Sequence, residues 1–144
     1  MKLYTIGFTQ KSAEEFFTLL KQANVQRVLD VRLHNDSQLA GFSKKKDLEY
    51  FLRAIANIGY VHFPELAPTP ELFDQYKKKR GAWPAYEKNF VRLMASRKIE
   101  EQIPKELFDR GCLLCSEPTP EHCHRRLVAE YLQAQWGHLD IVHL

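Results

Sequence analysis

The sequence runs to 144 residues, 44% hydrophobic and 27% charged, which suits one globular domain able to bury a core without disulfides or metal. A formal net charge of +3 permits an anionic ligand but does not mark a nucleic-acid binder. No apolar stretch reaches the roughly 18 residues that a membrane-spanning helix needs, so no membrane partner is expected.

The opening segment, Met1 to Gly7, is too short and too soon polar for a signal peptide and reads as a strand over 2–6. Gly7 closes it, where the backbone can turn or admit a ligand closely. Ser12 and Glu15 form a capping box for a helix whose inner face is Phe16, Leu19, Leu20 and Ala23. A second strand spans 25–31. Asp30 and Arg32 flank Val31 and so project to one side of it. Residues 33–43 show no period and read as a long loop.

Ser43 is expected to cap a helix to about Ile58, with Leu48, Phe51, Leu52 and Ile55 inward and Gly59 at the C′ position. Tyr60 to Phe63 is a third strand, closed by Pro64. Thr69 and Pro70 open a short helix to about Lys79, which breaks at Gly81 and Pro84. Tyr86 to Arg97 reads as helix, and a weaker one spans about 100–108. A last strand lies within 138–144.

Residues 111–126 carry the densest chemistry. Cys112 to Cys115 is an apolar run of four behind Gly111, as in a strand covered on both faces. Pro118 and Pro120 stop it. Thr119 is the expected N-cap of the next helix, with Pro120 at N1 and Cys123, His124 and Arg125 in its opening turns. Helical spacing aims His124 inward with Leu127, Val128 and Tyr131, sets Arg125 to one side, and turns Arg126 to water.

Alternating strands and helices imply a single α/β domain over 1–144. The expected form is a three-layer sandwich, a mainly parallel sheet of about five strands with helices on both faces. In such sheets ligands sit outside the carboxyl ends of the strands. Those ends offer Gly7 and Thr9, Asp30 and Arg32, His62, and Cys115, Ser116 and Glu117, beside the Cys123-His124-Arg125 turn.

Each group carries two readings. His124 is either a core histidine tying down a loop carbonyl or a general acid–base. Cys123, beside His124 and two arginines, is either an activated thiol or an inert one, and Cys115 likewise; Cys112 reads as a small buried hydrophobe. Glu117 and Asp30 are candidate bases, and Arg32 and Arg125 candidate anion ligands. A metal site from Cys115, His122, Cys123 and His124 matches no paired-knuckle spacing, and neighbouring side chains on a helical turn diverge, so no metal is expected. The thiol-phosphatase loop is absent, since Glu121, five residues intervening, stands where the arginine of a Cys-x5-Arg loop would be. Lys44–Lys46 and Lys77–Arg80 are solvated faces or, with Tyr76, Trp83 and Tyr86, a rim for a polyanion. Three cysteines without a framework spacing fit a reducing, cytoplasmic setting.

Several stretches together resemble the family catalogued as domain of unknown function 488. They are Thr5-Ile6-Gly7, Leu29-Asp30-Val31-Arg32, Gly59 through Leu66, and Leu113-Leu114-Cys115-Ser116-Glu117 with Cys123-His124-Arg125. The resemblance implies a compact α/β domain and these site residues; it supplies no reaction and no cofactor. The chain departs from the family at Ala67-Pro68, where two glycines are usual, and at Leu33 to Ser37, where a serine-proline loop is common. The expectation is therefore a thiol- and histidine-bearing cleft for a phosphorylated or nucleotide-like ligand. In it Asp30, Glu117, Cys123 and His124 are the catalytic candidates, and Gly7, Thr9, Arg32, Cys115, Ser116 and Arg125 the binding ones. A non-catalytic nucleotide or nucleic-acid module and a purely structural Cys-His-Arg turn are the alternatives.

Overall fold

A computed structural model describes residues 1–35, 41–77 and 80–144. Five strands form one sheet in the order β3-β2-β4-β1-β5, all parallel. They are β1 (Lys2–Gly7), β2 (Arg27–Asp30), β3 (Gly59–His62), β4 (Gly111–Cys115) and β5 (Asp140–His143). β4 lies between β1 and β2, which accounts for its unbroken apolar run: all five of its residues are buried. Its register pairs Gly7 with Cys115 and Asp30 with Leu114, bringing three strand ends level.

Strand alternation divides the core. Leu3, Leu29, Val31, Leu113 and Cys115 face one side, with Phe90, Met94, Leu127 and Val128. Tyr4, Ile6, Phe8, Val28, Cys112 and Leu114 face the other, with Phe16, Leu20, Leu48 and Leu52. The second side is covered by helices α1 (Ala13–Gln22) and α2 (Lys45–Phe51), the first by α3 (Pro70–Lys77), α4 (Trp83–Arg97), α5 (Ile99–Gln102) and α6 (His124–Trp136). The three-layer expectation holds.

Several expected boundaries move. The Ser12 hydroxyl accepts from the Glu15 amide at 3.1 Å and donates to the Glu15 carboxylate at 3.2 Å, so Ser12 caps α1 as anticipated. The helix expected over 43–58 instead opens as a 3-10 turn at Gly41–Ser43, caps at Lys44, and widens into a π turn at Leu52–Ala56. The wider register seats Ala56 against the core in place of Ile55, which stands 48% exposed. The left-handed stop is Asn57 (φ 55°), not Gly59, which is already the first residue of β3. Pro84 does not break a helix. It sits in the first turn of α4, where a missing N–H costs nothing. Pro104 divides the weak helix into α5 and a 3-10 turn at Lys105–Leu107. Of the loop over 33–43, residues 36–40 lie outside the described residues, as do Lys78 and Lys79 at the expected end of α3.

The largest shift concerns α6, which begins at His124 rather than after Thr119. Residues 116–122 form bends and turns, with the Cys123 amide donating to Pro120 O at 3.2 Å. Cys123 is the N-cap, in extended backbone (φ −135°, ψ 137°), and no side chain caps this helix. Cys123 is thus not on the helix beside His124, and its side chain leaves in another direction.

Candidate functional site

The carboxyl ends of β1, β2 and β4 meet the amino end of α6, and the contacts there start from a glycine. A Cβ on Gly7 would collide with the carbonyl of Glu117 and lie 2.9 Å from Arg125 Nη1. The close approach that Gly7 allows is therefore made by the chain's own 115–117 segment. Thr9 fixes the same segment through its backbone, donating to Ser116 O at 3.1 Å.

Arg125 lies beneath this crossing and is fully buried, not to one side of the helix as its spacing suggested. Its Nη1 donates to Glu117 O at 2.7 Å and to Cys115 Sγ at 3.4 Å, and its Nε to Thr5 Oγ1 at 3.2 Å. Nη2 has no partner, and no carboxylate pairs with the guanidinium among the described residues. Burial lowers its pKa to about 10, against the opposing pull of Cys112 and Glu117. A buried cation without a paired counter-charge is costly, and the nearby charge of Glu117 offsets part of that cost. Arg126 does point outward, to Glu87 and Glu130.

His124 reaches back across the sheet end. Its Nε2–H donates to Val31 O at 2.7 Å, which fixes the tautomer and leaves Nδ1 with a lone pair. Burial lowers its pKa to about 4, against the smaller opposing pull of the Val31 carbonyl. Burial thus favours the neutral ring, with the Nδ1 lone pair free.

Cys115 and Cys123 are joined by a disulfide, with Cα atoms 7.4 Å apart. Their sulfurs and a His124 ring nitrogen all lie within 4.8 Å of one another. The divergence expected of neighbouring side chains on one helical turn does not occur, because Cys123 is extended. His122, weighed with them for a metal, lies outside this group and stacks on Trp83 at 4.9 Å between ring centres. Cys112 is free and buried, and burial pushes its thiol up.

These groups open on a cavity of about 50 Å³ lined by Cys115, Ser116, Glu117, Cys123, His124 and Lys77, with an aromatic wall. The wall is Tyr76, Trp83 and Tyr86, with ring centres 5.0–5.3 Å apart, extended by His122. Lys77 Nζ sits 2.6 Å from Glu117 Oε1, both half-exposed. The aromatics were weighed in the sequence only as a rim for a polyanion. The i, i+3 spacing of Trp83 and Tyr86 is the sequence signal that these two share a face.

Asp30 and Arg32 do not join this cavity. They project to the other face of the sheet and pair with each other, Nε to Oδ1 and Nη2 to Oδ2 at 2.9 Å each. The Tyr60 hydroxyl also donates to Asp30, and Arg32 lies over the Phe8 ring at 5.4 Å. Arg32 Nη1 and Asn35 Nδ2 are buried without partners. Val31 joins this pair to His124 through backbone, its carbonyl accepting from the ring. Lys45 and Lys46, in the first turn of α2, are exposed, and Lys44, its N-cap, is half-buried.

The model of the family described as Domain of unknown function DUF488 matches residues 12–132. The chain belongs to this family. The match spans β2, β3 and β4 and the amino end of α6, and so includes every residue of the cavity. No curated protein and no solved structure matches the chain. Among the described residues no helix is long and apolar enough to cross a membrane.

Proposed function

We propose that the cavity at the end of β4 is the centre of an enzyme acting on a phosphorylated or nucleotide-like substrate. The observation that carries this reading is the combination of an aromatic wall and a lysine–carboxylate pair around one opening. Lys77 and the uncapped amino end of α6 hold the anionic group. The Lys77–Glu117 pair is half-exposed and worth under about 1 kcal/mol, so a phosphate displaces the carboxylate from the ammonium at little cost. Glu117, freed, serves as general base toward a water or hydroxyl in the cavity. A cavity of about 50 Å³ admits only the reacting group, given a water's share of about 30 Å³. The ring of the substrate lies on Trp83 and Tyr76 at the rim.

The buried Asp30–Arg32 pair has no role in catalysis on this reading. It anchors the 30–35 turn from behind and keeps Val31 O in place for His124.

Trp83 is a built-in probe. In Trp136→Phe protein, which leaves Trp83 as the single indole, adenosine monophosphate is expected to change the fluorescence saturably. Lys77→Ala weakens that response about tenfold, the loss of one charge-assisted contact. Absence of a saturable response to adenosine monophosphate, ribose phosphate and inorganic phosphate alike contradicts the reading.

A further inference from the structure

We propose that Cys115, Cys123 and His124 form a three-ligand zinc site whose fourth position opens into the cavity. Three features of the structure carry it independently of any substrate.

The first is the donor set. Two thiols and an imidazole are the soft and borderline ligands that select zinc, and their atoms already lie within 4.8 Å. Bonds of about 2.3 Å to sulfur and 2.0–2.1 Å to nitrogen set ligand atoms roughly 3.5–3.8 Å apart in a tetrahedron, so small side-chain rotations complete the site. The Cα atoms of the cysteines stand 7.4 Å apart, beyond the roughly 4.4–6.8 Å that disulfides span, and a shared ion between the sulfurs suits that spacing.

The second is the histidine. A metal-binding imidazole nearly always donates its other N–H to a carboxylate or a backbone carbonyl. Nε2 of His124 does so to Val31 O at 2.7 Å, which leaves the Nδ1 lone pair for an ion, and a ring nitrogen of His124 lies within 4.8 Å of both sulfurs. The third is Arg125, which donates to Cys115 Sγ from a fully buried position and so favours that sulfur as thiolate.

Three protein ligands with an open fourth position mark a catalytic rather than a structural zinc. The adjoining cavity has room for one water, and Glu117 borders it. In this respect the inference rests on the reading above, for which the ion supplies the activated water and Glu117 takes its proton.

Loading starts from reduction, since the two sulfurs are joined in the structure. A small dithiol gives two electrons and two protons to the Cys115–Cys123 bond and leaves as its own disulfide. Zinc then replaces the two thiol protons, which pass to solvent. The site is thus loaded only under reducing conditions.

The test is a Zn²⁺ and Co²⁺ titration of the full chain, reduced with dithiothreitol and handled without oxygen, against a chromophoric chelator. The expected result is one equivalent of either ion, with sulfur-to-cobalt charge-transfer absorption. Cys115→Ser, Cys123→Ser and His124→Ala are expected to lower affinity by about 100-fold or more, each losing one of three ligands, while Cys112→Ser binds as the parent does. Oxidised wild-type protein keeps every side chain and is expected to take up none, which covers the case of a variant that fails to fold. No uptake by reduced wild type, uptake undiminished by oxidation, or full affinity in both Cys123→Ser and His124→Ala would overturn the proposal. If metal is absent while adenosine monophosphate still shifts Trp83 fluorescence, the zinc site alone falls. If metal binds and no phosphate compound does, the zinc site stands and the substrate reading falls.

Discussion

His124 and Val31 are 93 residues apart in the chain, yet Nε2 donates to the Val31 carbonyl at 2.7 Å. This bond closes the seam between β2 and α6 and decides which ring nitrogen faces the cavity. Replacing His124 by Gln keeps a donor for Val31 O while removing the Nδ1 lone pair. His124→Gln is expected to lose metal uptake and stay within about 1 kcal/mol of wild type in urea unfolding, whereas His124→Ala loses about 1–3 kcal/mol from the orphaned carbonyl. Equal stability of the two variants would show that the bond does not hold the seam.

Gly7 is the tightest position at this edge. Gly7→Ala places a methyl where the Glu117 carbonyl sits, and backbone on both sides leaves little slack. Urea unfolding is expected to show a loss of about 2–4 kcal/mol, at the upper end of overpacking effects. A loss below about 0.5 kcal/mol would mean that the 115–117 segment shifts freely.

Arg125 spans Thr5, Cys115 and Glu117 with one planar group. An ammonium cannot make all three contacts, so Arg125→Lys is not conservative here. Thermal unfolding of Arg125→Lys is expected at a lower temperature than wild type, by an amount equal to about 1–3 kcal/mol for the unsatisfied buried groups. Wild-type stability in Arg125→Lys would contradict the three-point contact.

His143 reports on Arg125 from the edge strand. Its Nδ1 meets Thr5 Oγ1 at 2.6 Å, and that oxygen also accepts from Arg125. Burial first, then the charges of Arg125 and Arg126, lower its pKa, with Glu130 opposing. The folded value is below the unfolded one, so the unfolded chain takes the proton more readily. The related stability is present above the unfolded value of about 6.5 and is lost as pH falls from there through the folded value. NMR titration of the ring is expected to show a midpoint below 6.5, rising in Arg125→Met. A midpoint at or above 6.5 contradicts it.

Trp83 packs against Tyr76, Tyr86 and His122 at the mouth of the cavity. Trp83→Ala is expected to weaken binding of adenosine monophosphate about tenfold or more in calorimetry, since stacking contributes about 1–3 kcal/mol per base. Inorganic phosphate, which has no ring, is expected to bind Trp83→Ala as it binds wild type.

The sheet was legible because its pattern is local. The apolar run at β4, the capping box at Ser12 and the alternation of strands with helices state the fold in short windows. The start of α6 was not legible, since Thr119-Pro120-Glu121 has every local mark of a helix opening and the structure spends it on a turn that delivers Cys123 beside Cys115. Asp30 and Arg32 were seen to share a side, but which face of the sheet that is depends on strand order. Placing β4 between β1 and β2 puts Cys115 on one face and Asp30 on the other. The burial of Arg125 follows from Gly7, whose missing side chain lets the 115–117 segment cover it, and that contact is 118 residues long-range in the chain's own numbering from Gly7 to Arg125.

On the proposed function, the cavity at the end of β4 is where this chain meets its ligand. Amide NMR of the reduced protein titrated with adenosine monophosphate tests it most directly. Saturable shifts are expected, concentrated in residues 76–86 and 115–124. Shifts centred on the groove at the opposite end of the strands, around Gln26 and Arg110, would contradict it.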